Sequence, residues 1–429
     1  MTSSPAASYY RATATPYAPY APLQGRTDAR VAIIGGGYAG LHTALGLAER
    51  GMSDVVLLEK EQIGFGASGR NGGFVFAGYS LGEQALLDQR GSSAAQAMFK
   101  LTTDAVARIR QRVAHYAIAC DAVDEGVIWA NWFRDPAVLR QRQELLAKHY
   151  GVSWDWLPQQ ALRERIHTQR YFDGLYERNA LHLHPLNFAI GLAGAASAQG
   201  VRIHENTDAW QLRRDGSHWR IETAQGVVHA EQVVLACGGY LAGLRAQVDR
   251  AILPIATYVM VTEPLGDRLA DCLLTRSAVY DTRFAFDYYR PLPDTRLLWG
   301  GRISIRNRSP RAVQRLLTHD LMRVFPQLRG VRVDYAWSGL MSYARHQMPQ
   351  IGSSGDGLWW AQAFGGHGLA PTCAAGELLA SALAEGDDRW QQFADYGLTR
   401  TYRPFGYLGA QASYWWQQSK DWFKTRLEG

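Results

Sequence analysis

Two strand–glycine turn–helix units, one near each end of a 429-residue chain, predict an α/β fold assembled from interleaved segments. The first reads VAIIGGGYAGLHTALGLAERG from Val31, and the second reads LWWAQAFGGHGLAPTCAAGELLASAL from Leu358. Between them a strand-rich block runs from ILPIATYVMVTEP to VRVDYAWSGLM and reads as a second, α+β lobe on a mixed or antiparallel sheet. Length supports two lobes, because 429 residues exceed one ordinary core.

The opening stretch MTSSPAASYYRATATPYAPYAPLQG is rich in Pro, Ala and Tyr and lacks the basic-then-apolar order of a secretory signal. It is expected to lie on the surface as an extended arm, residues 1–29. A strand at 31–34, a helix over 38–49 and a strand over 55–59 follow. Met98, Leu101, Ala105, Ile109 and Val113 share one helical face and predict a helix from about Ser92 to Ala119. The strand GVIWANWF and a helix over 136–149 continue that second lobe. LHLHPLNFAIGLAGAASAQGVRIHE returns to strand, helix and strand, and HWRIETAQGVVHAEQVVLACGGY reads as a hairpin entering a buried parallel strand. A helix from about Arg311 to Val324 interrupts the later strands. The pieces divide into a nucleotide lobe (30–84, 180–250 and 345–388), a substrate lobe (85–179 and 251–344) and a tail (389–429).

Composition excludes several functions. Cys120, Cys237, Cys272 and Cys373 show neither CxxC nor metal-type spacing and suit a reducing, cytoplasmic setting. The twelve histidines form no HExxH, and the alternation in LHLHP reads as strand, so no metal is expected. The formal charge of +6 comes from scattered arginines without a basic block, so nucleic acid is not an expected partner. No run approaches the ~20 apolar residues of a membrane helix.

Gly35, Gly37 and Gly40 form GxGxxG directly after a strand, opening a helix at Tyr38 and Ala39 in a Rossmann-like arrangement. The first glycine allows the tight turn, the second lets backbone approach a diphosphate, and the third lets helix pack on strand. The helix end adds unpaired N–H groups and partial positive charge. Glu59 ends the next strand, where a carboxylate accepts ribose hydroxyls and repels a 2′-phosphate. A nicotinamide dehydrogenase completes its mononucleotide folds contiguously, and a flavin reductase with bound NADH carries a second GxGxxG. This chain instead has GASGRNGG soon after the acidic strand and FGGHGLAPT near its end.

Taken in order, GGGYAG, LEK, GASGRNGG, GVRIHENTDA, VVLACGGY, WSGLM, MPQIG and GGHG make nearly the whole chain resemble the D-amino-acid-oxidase-like superfamily of FAD enzymes, the glycine oxidase and sarcosine oxidase group. YYRATA, VTEPL, YYRPLPDTRLLWGGR and AFGGHG look most like the branch of gamma-glutamylputrescine oxidase-like amine oxidases. The resemblance implies non-covalent FAD. It puts Ala67, Ser68, Arg70, Asn71, Gly72 and Gly73 around the pyrophosphate and ring, with Glu59 and Lys60 beside them. Ala209 takes the place of a residue that touches adenine through its backbone, and Ala236 and Gly238 flank the ribityl or adenosine end. Gly365, Gly366, Gly368 and Leu369 set a helix N-terminus against the pyrimidine edge, where reduced flavin is negative. Sarcosine-oxidase relatives bond flavin to a cysteine; Cys373 falls past the turn and is expected to pack inside the helix.

An amine gives hydride from its α-carbon to flavin N5, leaving an imine that water hydrolyses, so positioning matters more than a strong acid or base. Amino-acid oxidases of the superfamily commonly present an arginine in a GLRP-like segment; here Met341 stands in WSGLMSYARH and cannot pair with a carboxylate. The expected substrate is therefore a primary or secondary amine, of polyamine or gamma-glutamyl-amine type, with O2 as acceptor giving hydrogen peroxide. Arg345, four residues on, keeps open an amino-acid oxidase or dehydrogenase. A flavin-bearing subunit of a complex or RNA-modifying assembly is a third reading. Tyr258, Tyr289, Arg290, Trp337, Tyr343, Arg345 and His346 are expected on the pocket wall, with His367 nearest the ring. None of Lys60, Lys100, Lys148, Lys420 and Lys424 falls in a substrate-facing segment, which admits a quinone or electron-transfer protein as acceptor. Trp415, Trp416, Trp422 and Phe423 are expected to pack back on the nucleotide lobe, a membrane surface being the alternative. Monomer and homodimer both fit.

Overall fold

The strand Gly25–Ile34 pairs in parallel with Gly226–Leu235 on one side and Val55–Leu58 on the other. Their carboxyl-terminal parts, VAII at 31–34 and VVL at 233–235, and the whole of VVLL at 55–58, are apolar and buried throughout, as strands covered on both faces require. The computed structural model, which describes residues 8–428, extends this sheet by Leu358–Gln362 beyond Gly226–Leu235 and by Arg202–His204 beyond Val55–Leu58. Gln350–Ser353 forms an antiparallel edge, and the hairpin of Gln211–Asp215 with His218–Glu222 adds onto Gly226–Leu235. The strands leading into the two glycine turns thus flank one shared neighbour. The helices that follow those turns, Tyr38–Glu49 and Leu369–Glu385, pack on each other through small residues. A Cβ on Gly376 would lie 2.4 Å from His42 Cβ, and one on Gly46 would lie 2.8 Å from Ala380 Cβ.

A second eight-stranded sheet runs Val333–Tyr343, Leu253–Thr262, Leu297–Ser304, Asp287–Pro291, Ala278–Asp281, Val127–Ala130, Gly174–Glu177 and Asp155–Leu157. Its pairings are antiparallel except that between Ala278–Asp281 and Val127–Ala130. Helix Pro310–Val324 covers one face, burying Val313, Leu317, Leu321 and Val324 at helical spacing against Tyr289 and Trp299. The other face looks toward the first sheet across a cavity.

Several elements depart from the sequence expectation. The long helix begins at Glu83 rather than Ser92 and is broken at Gly91, whose φ of 71° and ψ of 168° no helix contains. The helix after Pro136 becomes a π turn over Leu146–Tyr150. Of the amino-terminal arm, residues 14–22 run irregularly over the surface as expected, but the strand already begins at Gly25, and Tyr9 and Tyr10 in a short helix are buried, with Tyr10 against Trp337 and His184. Two large rings remove more apolar surface from water than an exposed arm permits. The carboxy-terminal helix Arg403–Glu428 packs along the second lobe, with Arg403 at its start pairing with Asp249 (2.9 Å), and Trp415, Trp416, Trp422 and Phe423 stay exposed instead of packing on the nucleotide lobe. Trp132 Nε1 donates to Thr425 Oγ1 and the Phe284 N–H donates to Asp421. The four cysteines are all free.

Candidate active site

One cavity of about 1520 Å³ runs from the carboxyl ends of the parallel strands, at Ile34, Leu58 and Ala236, to the facing second sheet at Tyr280, Tyr288 and Met341. Ligands of open parallel sheets sit at that end of the strands. The volume exceeds the roughly 300–1,000 Å³ of an ordinary small-molecule pocket, leaving room for a dinucleotide and a substrate together.

At the first turn, Gly35 has φ +116° and a Cβ there would meet Ala236 O at 2.7 Å. A Cβ on Gly40 would stand 2.0 Å from Gly35 O, which is the close helix–strand packing expected of the third glycine. Gly37 opens on the cavity opposite Ser68, whose Oγ accepts the Tyr38 N–H at 2.9 Å. The Glu59 carboxylate accepts the Gly36 N–H (2.6 Å) and the Glu61 N–H (2.9 Å), which fixes it on the wall and leaves each oxygen a further lone pair. Burial pushes its carboxyl above the ordinary range, and the two N–H bonds pull it back. Lys60 pairs with Asp208 (2.8 Å), and both line this end beside Ala209. The Asn71 amide donates to the Ala67 and Ser68 carbonyls, and its Oδ1 accepts the Gly73 N–H, so Asn71 shapes the loop. A helix N-terminus beside Gly37, a fixed carboxylate and a glycine-lined loop fit the diphosphate and ribose of FAD.

The second turn closes over Ser80 and Tyr343. Gly365 has φ +58°, a Cβ on it would meet Ser80 Oγ at 2.2 Å, and the Gly366 N–H donates to Ser80 Oγ at 3.1 Å. Gly365, Gly366, His367, Gly368 and Leu369 all line the cavity, so the amino end of helix Leu369–Glu385 opens on it. His367 meets Phe76 edge-on (4.9 Å between ring centres), Phe76 stacks on Tyr280 (5.7 Å), and Tyr280 stacks on Trp129 (6.0 Å). Beyond this aromatic row the Arg142 guanidinium lies over Trp129 (4.6 Å) and Trp154 (4.7 Å) and donates to Glu83 at 2.6 Å. Burial, then repulsion by Arg142, lowers His367 to about 4, so its imidazole is neutral at physiological pH. Burial pushes Glu83 up, but Arg142 outweighs it and the carboxyl sits below its ordinary range. Glu177, near Arg142, is lifted to about 8 by burial and carries a proton at neutral pH.

Of the residues expected on the pocket wall, Tyr343 and Arg345 line the cavity with His367; Tyr258, Tyr289, Arg290, Trp337 and His346 do not. Tyr289 stacks on Trp299 (4.6 Å) on the helix-covered face, whereas its neighbour Tyr288 points into the cavity. One step along a strand reverses the face. Tyr258 lies on the same covered face and donates its hydroxyl to Arg306 O. Arg290 is a buried clamp, donating to Gly72 O (2.8 Å) and Leu183 O (2.9 Å). Trp337 donates its indole N–H to Arg70 O (3.0 Å) from behind the loop. His346 packs on Tyr396 and faces Gly397, away from the cavity. Gly40 and Gly73 also lie behind the wall; a Cβ on Gly73 would stand 2.1 Å from Leu183 O.

Sequence reasoning missed Phe76, Glu83, Trp129, Arg142 and Tyr280. The stretch FVFAGYSLGE, directly after GASGRNGG, carries Phe76 and Glu83 and is the one available signal, because a loop leaving the nucleotide lobe must cross the cavity floor. Trp129, Arg142 and Tyr280 come from three separate segments, and only the sheet pairing of 127–130 with 278–281 brings the two rings together.

A dinucleotide cradle at one end and a helix N-terminus with a neutral histidine at the other define a flavin-dependent oxidoreductase. Residues 30–382 match the FAD dependent oxidoreductase family, and the chain belongs to it. It is 35% identical over 411 residues to gamma-glutamylputrescine oxidoreductase of Escherichia coli (strain K12), spanning 94% of this chain and 96% of that relative. A probable oxidoreductase of Haemophilus influenzae is 30% identical, with 92% of each chain covered. The fold is that of glycine oxidase from Geobacillus kaustophilus, with a TM-score of 0.71 at 22% identity over 87% of this chain and 99% of that one. Cys373 lies inside its helix, off the cavity wall, with burial pushing its thiol up to about 12; FAD is held here without a bond to it.

Proposed function

We propose that the chain oxidises the carbon–nitrogen bond of an alkyl amine carrying an amino-acid head, of the gamma-glutamyl-amine type. The observation that carries this reading is the row His367, Phe76, Tyr280 and Trp129 ending at the Glu83–Arg142 pair. Aromatic faces suit a methylene chain and a cation. A carboxylate beside a guanidinium complements the ammonium and carboxylate of a distant zwitterionic head. Met341 on the wall offers nothing to an α-carboxylate at the reacting carbon. Similarity to gamma-glutamylputrescine oxidoreductase supports the same class.

On this reading Gly37, Tyr38 and Ala39 meet the diphosphate, Glu59 the ribose, and the Gly365–Leu369 turn the redox-active end. Bound FAD supplies the two-electron acceptor for a hydride from the amine α-carbon. Neutral His367 accepts a hydrogen bond from the substrate nitrogen and keeps its lone pair available, and the aromatic row excludes water from the chain. Water then hydrolyses the imine to aldehyde and ammonia, and the electrons pass to O2, giving hydrogen peroxide, or to another acceptor. Lys60 is the one lysine among the described cavity-lining residues and stands at the ribose end, which favours another acceptor. Arg345 also lines the cavity and supports a second reading, an amino-acid oxidase. Anaerobic mixing with gamma-glutamylputrescine, putrescine, spermidine and a D-amino-acid panel tests both. We expect gamma-glutamylputrescine to bleach the flavin fastest. Bleaching by amino acids alone overturns the amine reading, and admitting air shows whether oxygen restores the colour.

A further inference from the structure

Helix Arg403–Glu428 presents two unlike faces. Its inner face seals the cavity: Gly406, Gly409 and Ser413 line the wall, while buried Gln411 and Tyr414 accept backbone N–H groups from Ile305 and Ile303. On its outer face Phe405, Leu408, Trp415, Trp416, Trp422 and Phe423 are each between 48% and 78% exposed. At 3.6 residues per turn these six fall within one arc of about 120° opposite Tyr414. So large a continuous apolar stripe marks an interaction surface rather than scattered surface residues.

The charges identify what covers it. From Pro404 to Ser419 the helix carries none. Its two acids are turned away: Asp421 accepts the Phe284 N–H (2.8 Å) and Glu428 accepts the Arg134 N–H (2.7 Å). The exposed charges are Lys420 and Arg426, lying over the rings of Trp416 (5.4 Å) and Trp422 (4.1 Å). The outer face is therefore aromatic and purely cationic.

We propose that this helix lies in the headgroup–acyl boundary of a bilayer containing anionic lipid, aromatic face inward, with Lys420 and Arg426 reaching back to lipid phosphates. Indole rings favour that boundary, and the long side chains of the cations beside them let their charged heads snorkel to the headgroups. A second copy of the chain fits less well, since a two-fold contact through this stripe would enclose four cations with no acid on either face. No described helix is long and apolar enough to cross a membrane, so the helix rests on the bilayer. Because its inner face is cavity wall, docking places that wall against the lipid surface. The proposal is independent of the substrate reading.

Flotation of the full FAD-loaded chain with vesicles of phosphatidylcholine plus phosphatidylglycerol, and of phosphatidylcholine alone, tests it. The chain is expected to float with the anionic vesicles and at least about tenfold less with the neutral ones. A W415S/W416S/F423S variant should keep its flavin content yet stay at the bottom. K420Q/R426Q should bind anionic vesicles about thirty-fold more weakly, the loss for two cations. A wild-type chain that floats with neither vesicle overturns the proposal. So does a wild-type dimer that the triple variant converts to monomer while neither floats, which assigns the stripe to a second copy.

Discussion

His367 is neutral because burial and Arg142 both oppose its protonated form, holding it near 4. The sign matters for activity: a histidine of ordinary pKa, about 6.5, would switch charge inside the working range, whereas this one accepts hydrogen bonds throughout it. The acid limb of kcat/KM is therefore expected to follow the substrate amine. His367→Ala should slow flavin reduction about tenfold, the worth of one buried hydrogen bond, and leave that limb where it was. A wild-type limb near pH 6.5 that the variant abolishes would refute the neutral-acceptor role. Glu83→Gln tests the other end of the row. If Glu83 receives the ammonium of a distant head, KM for gamma-glutamylputrescine rises about tenfold or more while KM for putrescine changes little. An equal rise for both would make Glu83 a support for Arg142 alone. Tyr288 and Tyr289 show why single residues are the hardest level to read from sequence. YYR offers two adjacent rings, and nothing in composition says which face of the strand is covered until helix Pro310–Val324 is placed against Tyr289.

Helices and strands are far more legible in the sequence than single side chains. The helix Tyr38–Glu49 agreed to the residue because its glycines, apolar run and following strand all point to one structure. The second turn was legible for the same reason: glycines between a buried strand and a helix have few uses. Helix Glu83–His115 was misread at its start because Gly91 interrupts the periodicity while the chain continues helical on both sides. The tail was misread because sequence cannot say whether an aromatic stripe faces a neighbour or solvent. The glycine turns yield a prediction of their own. Gly40→Ala places a methyl 2.0 Å from a backbone oxygen that cannot move without dragging the strand. It is expected to cost about 3 kcal/mol and most of the bound flavin. Gly194→Ala, in helix Pro185–Ala198 and off the cavity wall, where nothing lies within 4 Å of the added carbon, should leave flavin content unchanged. Absorbance of the purified variants reads both, and equal flavin in the two would mean that the first turn does not hold the cofactor.

Across the whole molecule the two lobes are joined by more than the cavity they enclose. Arg290 reaches from the second sheet to Gly72 O and Leu183 O, Trp337 reaches to Arg70 O, and Arg70 returns a bond to Ser338 O (3.3 Å). FAD seated between these walls binds the folded state alone, so at a concentration one hundred times its Kd it adds about 2.7 kcal/mol of stability. With an unfolding entropy of about 2.1 cal/mol/K per residue, 1 kcal/mol moves the Tm of a 429-residue chain by about 1 °C, so stripping the flavin should lower the Tm by about 3 °C. The direct ties survive removal of the flavin, and the apoprotein is therefore expected to melt in one transition, as the holoprotein does. Calorimetry of both forms decides the point. Two resolved transitions in the apoprotein would mean that the cofactor, and not the buried Arg290 and Trp337 contacts, couples the lobes. An unchanged Tm would mean that FAD does not occupy the space between them.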